Sequence, residues 1–186
     1  EVHHTTTKSA LIGGGIIPHP GEISLADKGV LFLDEIAEFP KPILEMLRQP
    51  LEEHFIKIIR NRGIYHFPAE FLLVAAMNPC PCGNYPDLNK CICTSAQIQS
   101  YLSKISQPLL DRIDICVEAE RVAYEDLQGE CEESSKEIRK RVILARSIQK
   151  ERYKDEGIMT NAQLNSELIK KYCILGQAEK TMMSQA

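Results

Sequence analysis

Gly29-Val30-Leu31-Phe32-Leu33-Asp34-Glu35 decides how the rest of this chain is read. Four apolar residues run into two adjacent carboxylates, with a glycine before them and a helix signal after. In a parallel sheet, a buried strand of this kind delivers its last side chains to the carboxyl edge, where ligands bind. Two neighbouring acids there can divide the labour of nucleotide hydrolysis. Asp34 would hold a magnesium ion through its shell of waters, and Glu35 would polarise the attacking water. The alternative is a buried strand that ends in two solvated acids.

Working outward, Phe71-Leu72-Leu73-Val74-Ala75-Ala76 reads as a second continuous apolar strand that delivers Met77-Asn78 at its end. A neutral amide at Asn78 can hydrogen-bond a phosphate oxygen or position the lytic water without adding charge. By itself Asn78-Pro79 would be an ordinary turn; in register with the acid pair on an adjacent strand it becomes part of a site. Ile113 to Val117 reads as a third strand, preceded by Pro108-Leu109-Leu110-Asp111-Arg112. The permanently charged guanidinium of Arg112 suits a transferring phosphoryl group, often from a neighbouring subunit. Ion pairing with Asp111 or Asp114 is the competing reading.

Between these strands, residues 8–24 are glycine-rich and loop-like, and Phe39-Pro40-Lys41-Pro42 starts a helix, since proline fits a first turn. Ile43, Leu47 and Leu51 form its core face, and Pro50 kinks or ends it nearby. Phe55–Arg60 and Ile64–Phe67 flank Asn61-Arg62-Gly63 as a hairpin. Its tip carries Lys57, Arg60 and Arg62, which would track a phosphate backbone with little sequence preference, or simply solvate the turn. A helix is expected from Ala96 to Ile105.

From Ser134 the pattern is helical: Glu137 three residues on completes a capping box, and Ile138, Val142, Ala145 and Ile148 form an apolar stripe. Eight basic and two acidic residues in 136–154 make the wet face of that helix. Shorter helices are expected over Ser166–Cys173 and Gln177–Ser184, with a domain boundary between Arg121 and Gly129.

Across 186 residues, 44% apolar and 26% charged, the composition is that of an ordinary soluble domain able to bury one real core. A net charge of −4 selects neither nucleic acid nor membrane. There is no spanning apolar run and no signal-peptide pattern, and seven cysteines without one point to a reducing, cytoplasmic setting. The start at Glu1-Val2-His3-His4 reads as a piece of something longer. Cys80-x-Cys82 and Cys91-x-Cys93 can close a tetrahedral site for a structural zinc ion, although the C-x-C spacing is less common than C-x-x-C. Four free thiols in a loop are the alternative. Cys116, Cys131 and Cys173 read as plain core or surface residues. His3 and His4 have no role derivable from sequence, and His19, His54 and His66 read as surface or loop residues.

Taken in order, Gly13-Gly14-Gly15, Pro20-Gly21-Glu22-Ile23-Ser24-Leu25-Ala26, GVLFLDEIAEFP, LRQPLE, Phe67-Pro68-Ala69, AAMNPCPCG and PLLDRIDI resemble the magnesium-chelatase-related AAA+ ATPases of the ComM/YifB type. The resemblance covers residues 3–121 well and the helical tail more loosely. It implies an α/β fold: a partial P-loop AAA+ module with parallel strands in a three-layer α/β/α arrangement (residues 1–123), followed by a truncated α-helical lid (124–186). Asp34-Glu35 would be the Walker B pair, Asn78 the sensor-1 residue and Arg112 the arginine finger. Residues 10–24 would be the helix-2 insert and 55–67 the hairpin before sensor 1, both projecting toward a hexamer's central pore. ATP and Mg2+ are the implied cofactors, a homo-hexamer and single-stranded or branched DNA the implied partners. The implied parent is a DNA helicase or branch-migration motor of the kind used in competence.

Two departures bear on activity. No G-x-x-x-x-G-K-[ST] occurs, the family's phosphate loop lying upstream, and the tail ends before the sensor-2 arginine. The isolated chain is therefore expected neither to hydrolyse ATP nor to bind it at micromolar concentration, which calorimetry checks. The sheet is expected to be incomplete, rearranged or completed by another chain. Four other readings remain: a true magnesium chelatase driving metal into a porphyrin, a protein-remodelling ATPase, an enhancer-binding transcription activator, and a zinc-stabilised interaction module. The GAFTGA loop of the activators is absent.

Overall fold

The two apolar runs singled out above pair side by side. Strand β3 (Val30–Leu33) and strand β6 (Leu72–Ala75) are parallel, in the register Val30↔Leu72 through Leu33↔Ala75. On the other side of β3, Val2 forms a parallel bridge with Leu33, its N–H donating to the Phe32 carbonyl at 3.1 Å. The computed structural model describes residues 2–61, 63–119 and 133–185, so Arg62, Cys131 and the expected boundary at 121–129 lie outside the described residues. The chain divides into two compact units, Glu1–Glu118 and Ala119–Ala186.

In the first unit, Leu31 and Leu33 of β3 are buried, whereas Val30, Leu72 and Val74 are exposed. The strands thus bury alternate residues on one face. The core is closed by helices that follow in sequence. After a 3-10 turn (Ile36–Glu38) come α3 (Lys41–Glu45) and α4 (Arg48–Glu53), which bring Ile36, Phe39, Leu44 and Leu47 inside. Each such side chain contributes roughly 1.5–3 kcal/mol by leaving water. The helix expected after Phe39 is split in two, and Pro50 sits in the first turn of α4, where no intrahelical N–H is required. Ile43 and Leu51 pack against the same core.

Strands β4 (Phe55–Arg60) and β5 (Gly63–Pro68) form the expected antiparallel hairpin, pairing Phe55 with Pro68 and Arg60 with Gly63. Ile56 and Ile58 face the core. Helix α5 (Ser95–Leu102) begins at Thr94 with a full capping box, and α6 (Gln107–Leu110) is capped by Ser106 and buries Leu109.

Two expectations require correction. Residues 8–24 are not a plain loop: α1 (Lys8–Ile12), capped by Thr7, leads into a two-residue ribbon of β1 (Gly13–Gly14) and β2 (His19–Pro20), then α2 (Glu22–Leu25). The glycines make this possible. A Cβ on Gly13, whose φ is +98°, would stand 2.2 Å from the His19 carbonyl oxygen. The third strand over Ile113 to Val117 does not form. Bonds from the Arg112 and Ile113 amides to the Leu109 and Leu110 carbonyls prolong the α6 turn instead. Among the described residues no strand offers that segment a ladder, and Ile115 and Val117 are 77% and 86% exposed.

In the second unit, α7 (Ser135–Arg152) starts at the Ser134–Glu137 capping box, and α8 (Ser166–Tyr172) and α9 (Gln177–Gln185) lie within a residue of the expected bounds. The apolar stripe of α7 is largely exposed, Ile138, Val142 and Ile148 included. Order here is centred on Tyr153, which is buried, stands edge-on to Tyr172 with ring centroids 5.1 Å apart, and donates its hydroxyl to Asn161 Oδ1 at 2.8 Å. No described helix is long and apolar enough to cross a membrane.

Candidate functional site

The register of β3 and β6 determines which groups meet at the carboxyl edge. The Ala76 amide donates to the Leu33 carbonyl and the Ile36 amide to the Ala76 carbonyl, both at 3.0 Å. Asp34-Glu35 and Met77-Asn78 therefore leave adjacent strands at one level. Glu35 has φ 49° and ψ 47°, a left-handed conformation uncommon for a side chain of this size, and its N–H donates to Asp34 Oδ1 at 2.9 Å. Asp34, Glu35 and Asn78 are all exposed. Two accessible carboxylates with a neutral amide alongside match the oxygen donors that a hard cation such as Mg2+ takes.

Groups to which the sequence reading gave no role surround this edge. His4 Nδ1 lies 3.6 Å from Glu35 Oε2, the His4 ring is stacked 4.0 Å from that of His3, and it meets Phe39 edge-on. The Val2–Leu33 bridge brings this pair to the acids, a pairing no local motif announces. Tyr101 of α5 is buried. Its phenol is held above its usual pKa by burial, then by the charges of Glu38 and Glu35, while a hydrogen bond with the Asn78 backbone opposes the rise.

Arg112 is drawn elsewhere. Its guanidinium pairs with Glu52 of α4 and donates to the Pro108 carbonyl, rather than pairing with Asp111 or Asp114. Its Nε is buried without a partner. In the hairpin, Lys57 stands opposite His66, and Arg60 Nε donates to the Gly15 carbonyl at 3.3 Å. That bond joins the hairpin to the glycine ribbon, where Ile16, Ile17, Ile59 and Ile64 are all exposed. The sequence reading took in the basic residues of this tip and missed its isoleucines.

The four cysteines of the loop after β6 converge. All four Sγ atoms lie within 4.8 Å of one another. Cys80 is 3.4 Å from Cys82 and 3.8 Å from Cys91, and Cys82 is 3.7 Å from Cys91. Four sulfurs about 2.3 Å from a tetrahedral zinc ion would be about 3.8 Å apart, so the donor set fits that metal. Backbone N–H groups of Asn84 and Ile92 bring the Cys82 thiol down to about 6, while burial pushes Cys93 up to about 12.

Two family models match the chain: Magnesium chelatase, subunit ChlI, over residues 1–127, and Magnesium chelatase, subunit ChlI C-terminal, over residues 132–186. Competence protein ComM of Haemophilus influenzae is 44% identical over 186 residues, covering 99% of this chain and 36% of that protein. The uncharacterized protein YifB of Escherichia coli is 43% identical over 178 residues, covering 93% of this chain and 34% of that protein. A solved structure of NtrX from Brucella abortus in complex with ADP aligns with a TM-score of 0.41 at 16% identity, over 61% of this chain and 23% of that one. The chain spans about a third of the length of the relatives it matches. With one family model spanning the whole of the first unit and its C-terminal companion most of the second, the chain belongs to the magnesium chelatase subunit ChlI family.

Proposed function

We propose that this chain carries the water-activating part of an ATP-driven AAA+ motor that works on DNA. The observation that supports it best is the β3–β6 register, which sets Asp34-Glu35 beside Asn78 at one sheet edge. Asp34 holds magnesium, which when bound draws negative charge off the phosphates. Glu35 accepts a hydrogen bond from the attacking water and polarises it, and Asn78 donates its amide to a γ-phosphate oxygen. Arg112 acts on a neighbour's site within a homo-hexamer, consistent with a guanidinium that pairs with Glu52 rather than with Asp34 or Glu35. Residues 1–123 form the ATPase core and 124–186 a helical lid. Cys80, Cys82, Cys91 and Cys93 hold one structural zinc ion.

DNA enters the reading through Lys57, Arg60 and Arg62 on the hairpin, through the Arg60–Gly15 tie between two projecting loops, and through kinship with a competence protein. The test is ATP turnover by the protein at the length of its relatives, with and without single-stranded and forked DNA. Stimulation by DNA, abolished by Glu35→Gln with nucleotide binding spared, is the expected result. Retained turnover in that variant removes Glu35 from the mechanism. Membership of the magnesium chelatase subunit ChlI family favours a second reading, ATP-driven magnesium insertion into a porphyrin. Turnover indifferent to DNA shifts the weight to it.

A further inference from the structure

The cysteine loop is wired to Asn78 at both of its ends. At its start, Asn78 is separated from Cys80 by Pro79 alone, whose ring leaves that link little freedom. At its end, Cys93 precedes Thr94, whose hydroxyl accepts the Gln97 amide at 3.3 Å and whose own amide donates to Gln97 Oε1 at 2.8 Å, starting α5. Helix α5 then runs back and sets the buried Tyr101 against the Asn78 backbone. The middle of the loop also comes near Asn78. A Cβ on Gly83 would stand 3.9 Å from Asn78 Cγ and Oδ1, so the carboxamide lies on the side of Gly83 that a side chain would occupy.

Packing does not explain why four sulfurs meet here. The large apolar side chains of the loop, Leu88 and Ile92, are 82% and 87% exposed, so the loop has no aliphatic core of its own. Its backbone bonds include short-range turns: Gly83 N–H to the Cys80 carbonyl at 3.0 Å, Asp87 N–H to that of Asn84 at 2.9 Å, and Cys91 N–H to that of Asp87 at 2.8 Å. None of these turns reaches from one cysteine pair to the other, whereas the thiols do, Cys91 Sγ lying 3.8 Å from that of Cys80 and 3.7 Å from that of Cys82. A metal–thiolate cluster supplies the missing cross-link.

We propose that the Cys80–Cys82–Cys91–Cys93 zinc clip is the positioning device for Asn78, holding its carboxamide at the sheet edge beside Asp34 and Glu35. The inference rests on the motor reading of Asn78 and on the zinc reading of the cysteines, and adds the coupling between them. The clip touches no reacting atom; it acts through Pro79, Gly83 and Tyr101.

The test uses the protein at the length of its relatives. Zinc is removed by a zinc-selective chelator with magnesium in excess, then restored, and the same assays are run on Cys82→Ser, Cys82→His and Asn78→Ala. About one zinc per chain is expected in the untreated protein. Stripping should lower kcat on the order of 10- to 100-fold, as for a misplaced catalytic group, while leaving binding of a fluorescent ATP analogue unchanged. Zinc or the Cys82→His ligand swap should restore turnover, and stripping should add nothing to the loss already present in Asn78→Ala. Hydrogen exchange supplies a readout that needs no activity: stripping should raise exchange across residues 76–80 and leave the 55–68 hairpin unchanged. Four freely reactive thiols with no bound metal would overturn the clip. Bound zinc whose removal changes neither kcat nor exchange at 76–80 would overturn the coupling. A protein without turnover refutes the motor reading, and the exchange result then decides the coupling alone.

Discussion

Glu35 holds a left-handed backbone that costs roughly 1–2 kcal/mol in a residue other than glycine. The cost is met by two clamps: its own amide on Asp34 Oδ1 and the next amide on Ala76. A strained turn held this firmly aims a carboxylate in one direction, which a general base requires. The His4 ring, with Nδ1 3.6 Å from Oε2, is what the carboxylate meets in this arrangement. Arg112 presents the opposite case, a guanidinium that Glu52 holds rather than Asp34 or Glu35. If it serves the next subunit, loss of Arg112 and loss of Glu35 damage different partners of one interface. Mixing inactive Arg112→Ala and Glu35→Gln subunits in equal amounts should then restore turnover at about a quarter of the interfaces. Mixtures as dead as either parent would remove Arg112 from the trans role.

At the scale of elements, local chemistry made most boundaries readable. Ser134 with Glu137 starts α7, Gly63 opens β5, and the apolar run of β3 ends just before Asp34 while that of β6 ends three residues before Asn78. Each signal acts over a few residues. Residues 113–117 show where that fails, since β-propensity forms no strand without a neighbouring edge. The glycine ribbon fails differently: three glycines suggest a loop until the close approach of Gly13 to His19 is known. In the second unit, α8 is tied back by Glu156, which accepts from Lys171 at 2.5 Å and from the Tyr172 hydroxyl at 2.7 Å. These donors, Lys171 first, hold the Glu156 carboxyl below its ordinary value of 4.5. Because the folded value is lowered, the stability this group contributes is complete above the ordinary carboxylate range and is lost as pH falls through the folded value. Glu156→Gln should therefore melt earlier than the parent at neutral pH, with the gap closing in acid. An equal gap at both extremes would show a packing effect instead.

Across the whole molecule, the proposed activity makes a claim about charge that no single contact carries. With a net charge of −4, binding to DNA must come from a local concentration of basic groups, and the hairpin tip is the candidate. Replacing Lys57 and Arg60 by alanine should weaken single-stranded DNA binding at every sequence tested and reduce the slope of log affinity against log salt by about 0.7 per lost phosphate contact. An unchanged slope would place the DNA elsewhere or nowhere. The sequence by itself determined the α/β class, the run of elements around Val30–Leu33 and Leu72–Ala75, and the family, because apolar periodicity, caps and ordered motifs are written in adjacent residues. Only the tertiary structure decided that Arg112 pairs with Glu52, that His4 reaches Glu35 and that Tyr101 returns to Asn78. Those pairings join residues far apart in the chain, and which of many compatible partners is chosen depends on the surfaces that folding brings together.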